Sequence, residues 1–233
     1  MPIEPNYSQY QLSIFDNVKS GTGNTVINAL AGSGKTTTLI KSLEFVDPKL
    51  STLMAAFNKK IAEIIKERAP KHVEVYTLHA LGLKAISKMF PGIRVDDHKM
   101  YPIIDKLLEK KDFNTKELVG PLKKTISLSK GFFLFIPNDI DQIIDDYNID
   151  WDEDIYEREE FINDVLFALK MAKQNTNVID FDDMLYFTEV YNMKLPQYDR
   201  VFVDEAQDLN KVQRLMIIKS LKKPKSKKAE PGR

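Results

Sequence analysis

Residues 25–44 read TVINALAGSGKTTTLIKSLE, and this stretch decides the fold class. The apolar run at Thr25–Leu30 is typical of a short buried strand, and helical spacing begins at Lys35 and continues to Glu44. The small residues AGSG separate the two segments. A strand, a tight glycine turn and a helix in this order indicate the start of a strand–helix–strand unit with a parallel sheet.

Other segments extend this alternation of strands and helices. Asn58 is placed to cap a helix that closes at Ala69, before Pro70. We therefore predict an α/β fold with a parallel sheet. The further strands are predicted at Thr52–Phe57, Val73–Tyr76 and Arg200–Asp204, and further helices at Leu78–Phe90, Phe181–Tyr191 and Leu209–Leu221.

The middle of the chain has mostly helical apolar spacing, with the apolar GFFLFIP at Gly131–Pro137 as an exception. We predict a helical subdomain over residues 93–175, inserted into a sheet domain formed by residues 1–92 and 176–221. Residues 139–160 carry eleven acidic residues and one Arg, which is typical of a solvated surface and unsuited to DNA phosphates. Residues 222–233, KKPKSKKAEPGR, are predicted to form a basic tail or exposed loop.

Composition excludes several classes of site. The chain has no Cys, which excludes a disulfide framework, a thiolate zinc site and a cysteine nucleophile. With 34 Lys and Arg against 34 Asp and Glu, nucleic-acid binding must rest on a local patch. The first residues lack the apolar core of a signal peptide, and no apolar run approaches the length of a membrane span. We expect an intracellular, cytoplasmic protein with no membrane partner.

The loop after the first predicted strand has the residues that hold phosphate. Small residues let backbone N–H groups turn towards phosphate oxygens, and the following helix directs its positive end to the same place. Lys35 is then expected to reach the β- and γ-phosphates, and the Thr36 hydroxyl to bind Mg²⁺. The common pattern begins with Gly where Ala29 stands, and a glycine turn with a chance lysine is the alternative. The predicted ATP-binding residues are Ala31, Gly32, Ser33, Gly34, Lys35, Thr36 and Thr37.

Residues 201–208 read VFVDEAQD, an apolar strand that ends in carboxylates. In α/β sheets, ligands bind at the C-terminal ends of the strands. Asp204 is therefore predicted to hold Mg²⁺ and Glu205 to act as the general base. Asp-Glu alone is weak evidence, because acidic residues also cap helices. A cap by Asp208 on a helix that begins at Leu209 is the alternative.

Together, AGSGKTTTL and VDEAQD resemble motifs I and II of the UvrD/Rep-type superfamily 1 DNA helicases. The resemblance spans Tyr10 to Gln213. It implies a RecA-like P-loop NTPase sheet with an inserted helical subdomain, and an ATP hydrolase that uses ATP and Mg²⁺. It also implies that Gln207 senses the γ-phosphate or the attacking water.

Three weaker matches occur in the order that the family requires. Tyr10-Gln11 resembles the Q motif, which implies that Gln11 contacts adenine; an ordinary exposed helix residue is the alternative. Phe57, Asn58 and Lys59 resemble motif Ia, and Thr77-Leu78-His79 resembles motif Ib, both of which contact single-stranded DNA. For Phe57, a place in the core and a role in base stacking stay equally open.

Residues 180–184, DFDDM, resemble the DFDDL stretch where the chain returns to the first motor domain. Asp180, Asp182 and Asp183 suggest either a cation site or, in our preferred interpretation, a helix cap with one or two carboxylates left solvated.

The family pattern continues beyond motif II, with a motif III strand between the phosphate-loop strand and the Arg200–Asp204 strand, and then a second motor domain. The resemblance therefore implies a vacant slot between these two strands, weak or absent hydrolysis by the isolated chain, and a remaining helicase segment or complementing chain as partner. The alternative is a naturally short module that binds ATP or a partner protein without acting as a motor.

Overall fold

The structure is a computed structural model that describes residues 7–21, 23–30, 32–109, 111 and 116–223. Contacts divide the chain into two compact units. The sheet unit comprises residues 1–77, 196–207 and 219–233, and the helical unit comprises residues 78–195 and 208–218. The domain limits at 92 and 176 implied by sequence do not coincide with this division and stay a prediction.

Ten α-helices and five strands are present in the described ranges. In chain order they are α1 (Gln9–Ser20), α2 (Lys35–Ser42), β1 (Thr52–Ala56), α3 (Lys59–Arg68), β2 (Val73–Thr77), α4 (Leu78–Met89), β3 (Arg94–Val95), α5 (Tyr101–Leu108), α6 (Val119–Phe132), α7 (Pro137–Asp146), α8 (Arg158–Gln174), β4 (Val178–Ile179), α9 (Phe181–Val190), β5 (Arg200–Val203) and α10 (Lys211–Ser220). No helix in these ranges is long and apolar enough to cross a membrane.

The sheet unit is built on three parallel strands in the order β2-β1-β5. Thr52 of β1 lies opposite Val73 on one side and Arg200 on the other. All five residues of β1 are buried, as expected for a central parallel strand covered on both faces. The predictions of strands near 52–57, 73–76 and 200–204 are confirmed.

The prediction of a strand at Thr25–Leu30 is wrong. This segment has no strand assignment, and the side chains of Val26 and Leu30 are 91% and 84% exposed. β5 pairs with β1 on one side only among the described residues, and no described strand lies beside residues 25–30. An apolar run forms a strand only where a neighbour pairs its backbone. The segment and β5 do not pair with each other, and the intervening strand implied by the resemblance stays a prediction.

Helix ends in the sheet unit follow local capping rules. The Asn58 side chain accepts a hydrogen bond from the Ile61 amide at 2.9 Å, and α3 ends at Arg68 with Ala69 as its C-cap, as predicted. Ser8 caps α1, where Gln11 completes a capping box.

The alternative of a cap by Asp208 on the last helix is wrong. Asp208 lies in a 3₁₀ turn, and α10 begins at Lys211 instead of Leu209. Asn210, the residue before α10, exchanges hydrogen bonds with Gln213, each at 2.9 Å.

An apolar core cluster lies within the helical unit. α5, α6, α7 and α8 contribute to this core, for example through Ile104, Leu122, Ile144 and Phe161, which are at most 1% exposed. The short parallel pair β3 and β4 was not foreseen from sequence, because two residues are too few to show an alternating pattern.

Four charged residues are buried within the helical unit, and we call them the buried quartet. Lys130 of α6 contacts Asp180 at 2.6 Å and Asp183 at 2.9 Å, and Lys99 contacts Asp183 at 2.6 Å. Asp180 caps α9 as predicted, but the carboxylates of Asp180 and Asp183 are buried and not solvated. Burial alone lowers the pKa of Lys130, but the charges of Asp183 and Asp180 outweigh it and raise the pKa above its ordinary value.

Candidate nucleotide-binding site

The loop before α2 is shaped by two glycines. Gly32 and Gly34 have φ values of 76° and 81°, a left-handed conformation that suits glycine. The Ser33 hydroxyl donates to the Leu30 carbonyl at 2.7 Å and closes the turn. The loop therefore reverses direction with little side-chain volume on its inner side. Ala31 lies outside the described residues.

The N-terminus of α2 is open to an anion. Gly34 is its N-cap, and no described side chain caps it. The first amides of a helix have no partner within the helix, and they carry the positive end of its dipole. The predicted phosphate-binding residues Lys35, Thr36 and Thr37 form this first turn. The arrangement fits a phosphate group.

The loop and the end of β5 meet within the sheet unit. The Thr36 hydroxyl donates to Asp204 Oδ2 at 3.2 Å, although the two residues are 168 positions apart. Lys35 Nζ lies 3.6 Å from Glu205 Oε2. We call these four residues the nucleotide group. The two strongest sequence motifs therefore contribute to one site.

Glu205 lies in a strained and polar setting. Its φ is 50°, a left-handed value that is uncommon for a residue with a side chain. Gln207 Nε2 donates to Glu205 Oε2 at 2.6 Å. This hydrogen bond, and then the charge of Lys35, hold the pKa of the Glu205 carboxyl below its ordinary value. Glu205 is therefore ionised at neutral pH, as a general base must be.

The candidate site has few oxygen ligands for a divalent cation. Asp204 is 6% exposed, and its carboxylate contacts the Thr36 hydroxyl. No group of three or more His, Cys, Asp or Glu side chains suited to a metal occurs among the described residues. Mg²⁺ is usually held by one or two protein ligands together with substrate phosphates and water, so this donor set fits Mg²⁺ bound with a nucleotide.

Gln11 lies against α2. Its amide nitrogen donates to the Thr38 hydroxyl at 2.9 Å, and its amide oxygen accepts from the Ser8 amide at 2.9 Å. Sequence reasoning missed these roles of Ser8 and Thr38, although a serine three residues before a glutamine is a capping-box signal. Both polar groups of the Gln11 amide are therefore engaged in hydrogen bonds within the protein. Its contact with adenine stays a prediction.

The motif Ia residues are at the surface of the sheet unit. Phe57 follows β1 and is 51% exposed, so its alternative place in the core is wrong. Asn58 is committed to capping α3, and Lys59 begins that helix with an exposed side chain. An exposed ring beside an exposed lysine has the chemistry for base stacking and phosphate contact.

The motif Ib residues are divided between the units. Thr77 ends β2 in the sheet unit, whereas His79 belongs to α4 in the helical unit. The His79 ring is 6.1 Å from Phe181, and burial lowers its pKa against the opposing effect of Asp182. His79 is therefore neutral at pH 7, so any contact that it makes with DNA would not involve a positive charge.

Comparison with known proteins agrees with the geometry. Residues 12–227 match the UvrD/REP helicase N-terminal domain. The chain is also 27% identical over 201 residues to F-box DNA helicase 1 of Gallus gallus, a match that covers 78% of this chain and 19% of that relative. Because the family match covers nearly all of the 233 residues, the chain belongs to the UvrD/Rep helicase N-terminal domain family and has its RecA-like α/β fold.

Proposed function

We propose that this chain binds ATP with Mg²⁺ and is the ATP-binding part of a helicase or translocase that acts on single-stranded DNA. The observation that carries the proposal is the meeting of Lys35 and Thr36 with Asp204 and Glu205 in one site. A lysine at a helix N-terminus and two carboxylates at a strand end are the parts that P-loop NTPases use.

Nucleotide binding would rest on the loop and α2. The amides of the first turn of α2 would hold phosphate oxygens, and Lys35 would exchange its contact with Glu205, at 3.6 Å, for the β- and γ-phosphates. A contact of this length between side chains about one-third exposed is readily given up. Thr36 and Asp204 would hold Mg²⁺, which neutralises charge on the phosphates.

Hydrolysis would require a base beside the attacking water. Glu205 is ionised and bonded to Gln207, so it would orient the water and accept its proton. Gln207 would hold the Glu205 carboxylate through its hydrogen bond and would sense the γ-phosphate or the attacking water. We expect slow turnover, because an arginine supplied by another domain or protein is worth about 10³–10⁵ in related systems.

DNA binding would rest on Phe57, Asn58 and Lys59 and on the Thr77–His79 segment. With a net charge of zero, this binding should be weak and salt-sensitive. The chain spans about a fifth of the length of the curated relative that it matches. That proportion supports a further helicase segment or a complementing chain as the partner that completes the motor.

The first experiment is titration of the chain with a fluorescent ATP analogue. Lys35→Ala should weaken binding by at least about tenfold, because a charged hydrogen bond to phosphate is lost. Lys41→Ala is the matched control, since Lys41 is also on α2 but pairs with Glu44. Equal affinity of wild type and Lys35→Ala would refute the phosphate-loop assignment.

The second experiment separates binding from hydrolysis. Glu205→Gln should keep nucleotide binding but lower hydrolysis with DNA, because Gln can hold the water but cannot accept its proton. The rate is measured above the Lys35→Ala background. If Glu205→Gln hydrolyses ATP as fast as wild type, then Glu205 is not the base.

The third experiment concerns DNA. Phe57→Ala should weaken oligothymidylate binding, with a loss of about 1–3 kcal/mol if the ring stacks on a base. Deletion of residues 222–233 removes the basic end as a separate, non-specific source of affinity. Complete loss of binding on that deletion, with no effect of Phe57→Ala, would show that motif Ia contributes nothing.

A further inference from the structure

The helical unit contains a cavity of about 400 Å³, and its lining residues do not belong to the nucleotide group. The segment after α6, together with α8 and α9, forms its wall. The apolar lining residues are Phe133, Phe135, Leu166, Leu169, Tyr186 and Val190. Little of this lining is polar, so the cavity favours an apolar group.

The aromatic wall of the cavity is held in place by the end of α6. The Phe133 amide donates to the Lys130 carbonyl, and the Leu134 amide donates to the Ser129 carbonyl at 3.0 Å. Phe133 has a φ of 59° at this helix end, a position that usually takes glycine. Its ring lies edge-on to Phe135 at 4.6 Å. A strained residue that places a ring in a cavity is a feature of ligand clamps.

Apolar side chains near the cavity remain in water. Phe135 is 41% exposed and Ile136 is 55% exposed. Because Phe135 lines the cavity, part of the apolar wall is open to water, which suits an apolar side chain of another molecule.

Two lysines lie at the rim of the cavity. Lys170 and Lys173 are exposed, line the cavity and occupy the same face of α8, since residues three apart on a helix are neighbours. The rim therefore favours a ligand with one or two carboxylates beside an apolar group.

We propose that this cavity docks a short segment of a partner protein, in which an apolar side chain is flanked by Asp or Glu. The apolar side chain fills the cavity, and the flanking carboxylates contact Lys170 and Lys173. A nucleobase fits less well, because its polar edges would be buried among carbon atoms. The basic end of this chain, residues 222–233, has the wrong charge to occupy the site.

The test is a selection of displayed random peptides on the full-length chain. Selected peptides should share an apolar residue flanked by acidic residues. Their affinity should fall about tenfold for the double variant Lys170→Glu and Lys173→Glu, since two exposed ion pairs become repulsive. It should also fall for Phe135→Ser. The matched control, Lys88→Glu with Lys106→Glu, reverses two exposed lysines of the same unit and should not change affinity.

Three outcomes would overturn the proposal. One is the absence of an acidic and apolar consensus, and another is equal affinity of the selected peptides for wild type and the double variant. The third is loss of oligothymidylate binding in the double variant without any peptide preference, which would make this a DNA site. Lys35→Ala should leave peptide binding unchanged, so failure of the nucleotide proposal would be recognised separately.

Discussion

The buried quartet and the nucleotide group use the same kinds of side chain in opposite ways. In the quartet, Lys130 lies 2.6 and 2.9 Å from Asp180 and Asp183, and its side chain is 1% exposed. In the nucleotide group, Lys35 lies 3.6 Å from Glu205, and both side chains are about one-third exposed. The charge of Lys130 is therefore matched by carboxylates within the protein, whereas Lys35 is loosely paired and accessible to a ligand.

The difference shows that pairing and burial, more than residue type, separate structural charges from chemical ones. A buried ion pair gives up its hydration and cannot release a partner without leaving a bare charge in the interior. A pair at the surface loses little when a phosphate replaces one partner. The predictions that follow test this contrast, starting from the variant with the largest expected effect.

Lys130→Met should destabilise the helical unit by about 3–5 kcal/mol, because Asp180 and Asp183 would share only Lys99 as a buried counter-charge. The free energy of unfolding of a typical domain is about 5–15 kcal/mol in total, so the urea concentration at the unfolding midpoint should fall steeply. Trp151, the single tryptophan, stacks on Phe161 at 4.0 Å in this unit, and its fluorescence in urea reports the transition.

Lys35→Met is the matched comparison for this prediction. It removes the same kind of side chain from an exposed pair, so the urea midpoint should stay where it is in the wild type. Equal loss of stability in the two variants would contradict the contrast between the buried quartet and the nucleotide group.

Gly82→Ala should destabilise the chain by about 1–3 kcal/mol through overpacking. A Cβ at Gly82 would lie 1.9 Å from the Met184 carbonyl oxygen, which is backbone of α9, the helix that contains Asp183 and is capped by Asp180. Helix propensity alone predicts the opposite sign, a gain of about 1 kcal/mol. The test is urea unfolding of the variant followed by Trp151 fluorescence.

Gly120→Ala on α6 is the control, because a Cβ there meets nothing within 4 Å. This variant should be neutral or slightly stabilising. Stabilisation by Gly82→Ala to the same extent would mean that α4 and α9 separate readily.

The sequence predicted those parts of the fold and site that are set by local pattern. The glycine turn before α2, the Asn58 cap and the two acidic residues after β5 all follow from neighbouring residues. The buried ion pairs could not be predicted, because no spacing rule links their members. Lys99 lies 84 residues from Asp183, and Lys130 lies 50 residues from Asp180. Residues 25–30 show the converse case, since their apolar pattern is correct for a strand but a paired neighbour is absent among the described residues.

The exposed apolar segment at 25–30 should promote self-association without contributing to stability. Val26→Lys with Leu30→Lys should change the free energy of unfolding by no more than about 0.5 kcal/mol, since both side chains are already in water. It should reduce concentration-dependent association in sedimentation velocity, because lysine blocks edge-to-edge pairing.

Leu12→Lys with Ile218→Lys provides the control for that variant, as both residues are exposed but lie on helices with paired backbones. A large loss of stability in the Val26 and Leu30 variant would show that the segment is a buried strand in solution.

The smallest expected effect concerns the titration of Glu205. Its pKa is held low first by the Gln207 hydrogen bond and then by Lys35, so Gln207→Leu should raise the pKa towards the ordinary value for glutamate. The carboxylate would then take up its proton at a higher pH. In a plot of any ATP hydrolysis rate against pH, the acidic limb would therefore move to higher pH. Carboxyl-carbon NMR of the labelled chain follows the titration directly, with Gln174→Leu as an exposed control on α8. An unchanged Glu205 titration would mean that Gln207 does not hold the base, whereas a shifted titration with an unchanged unfolding midpoint would show that this hydrogen bond sets the charge of Glu205 without contributing to stability.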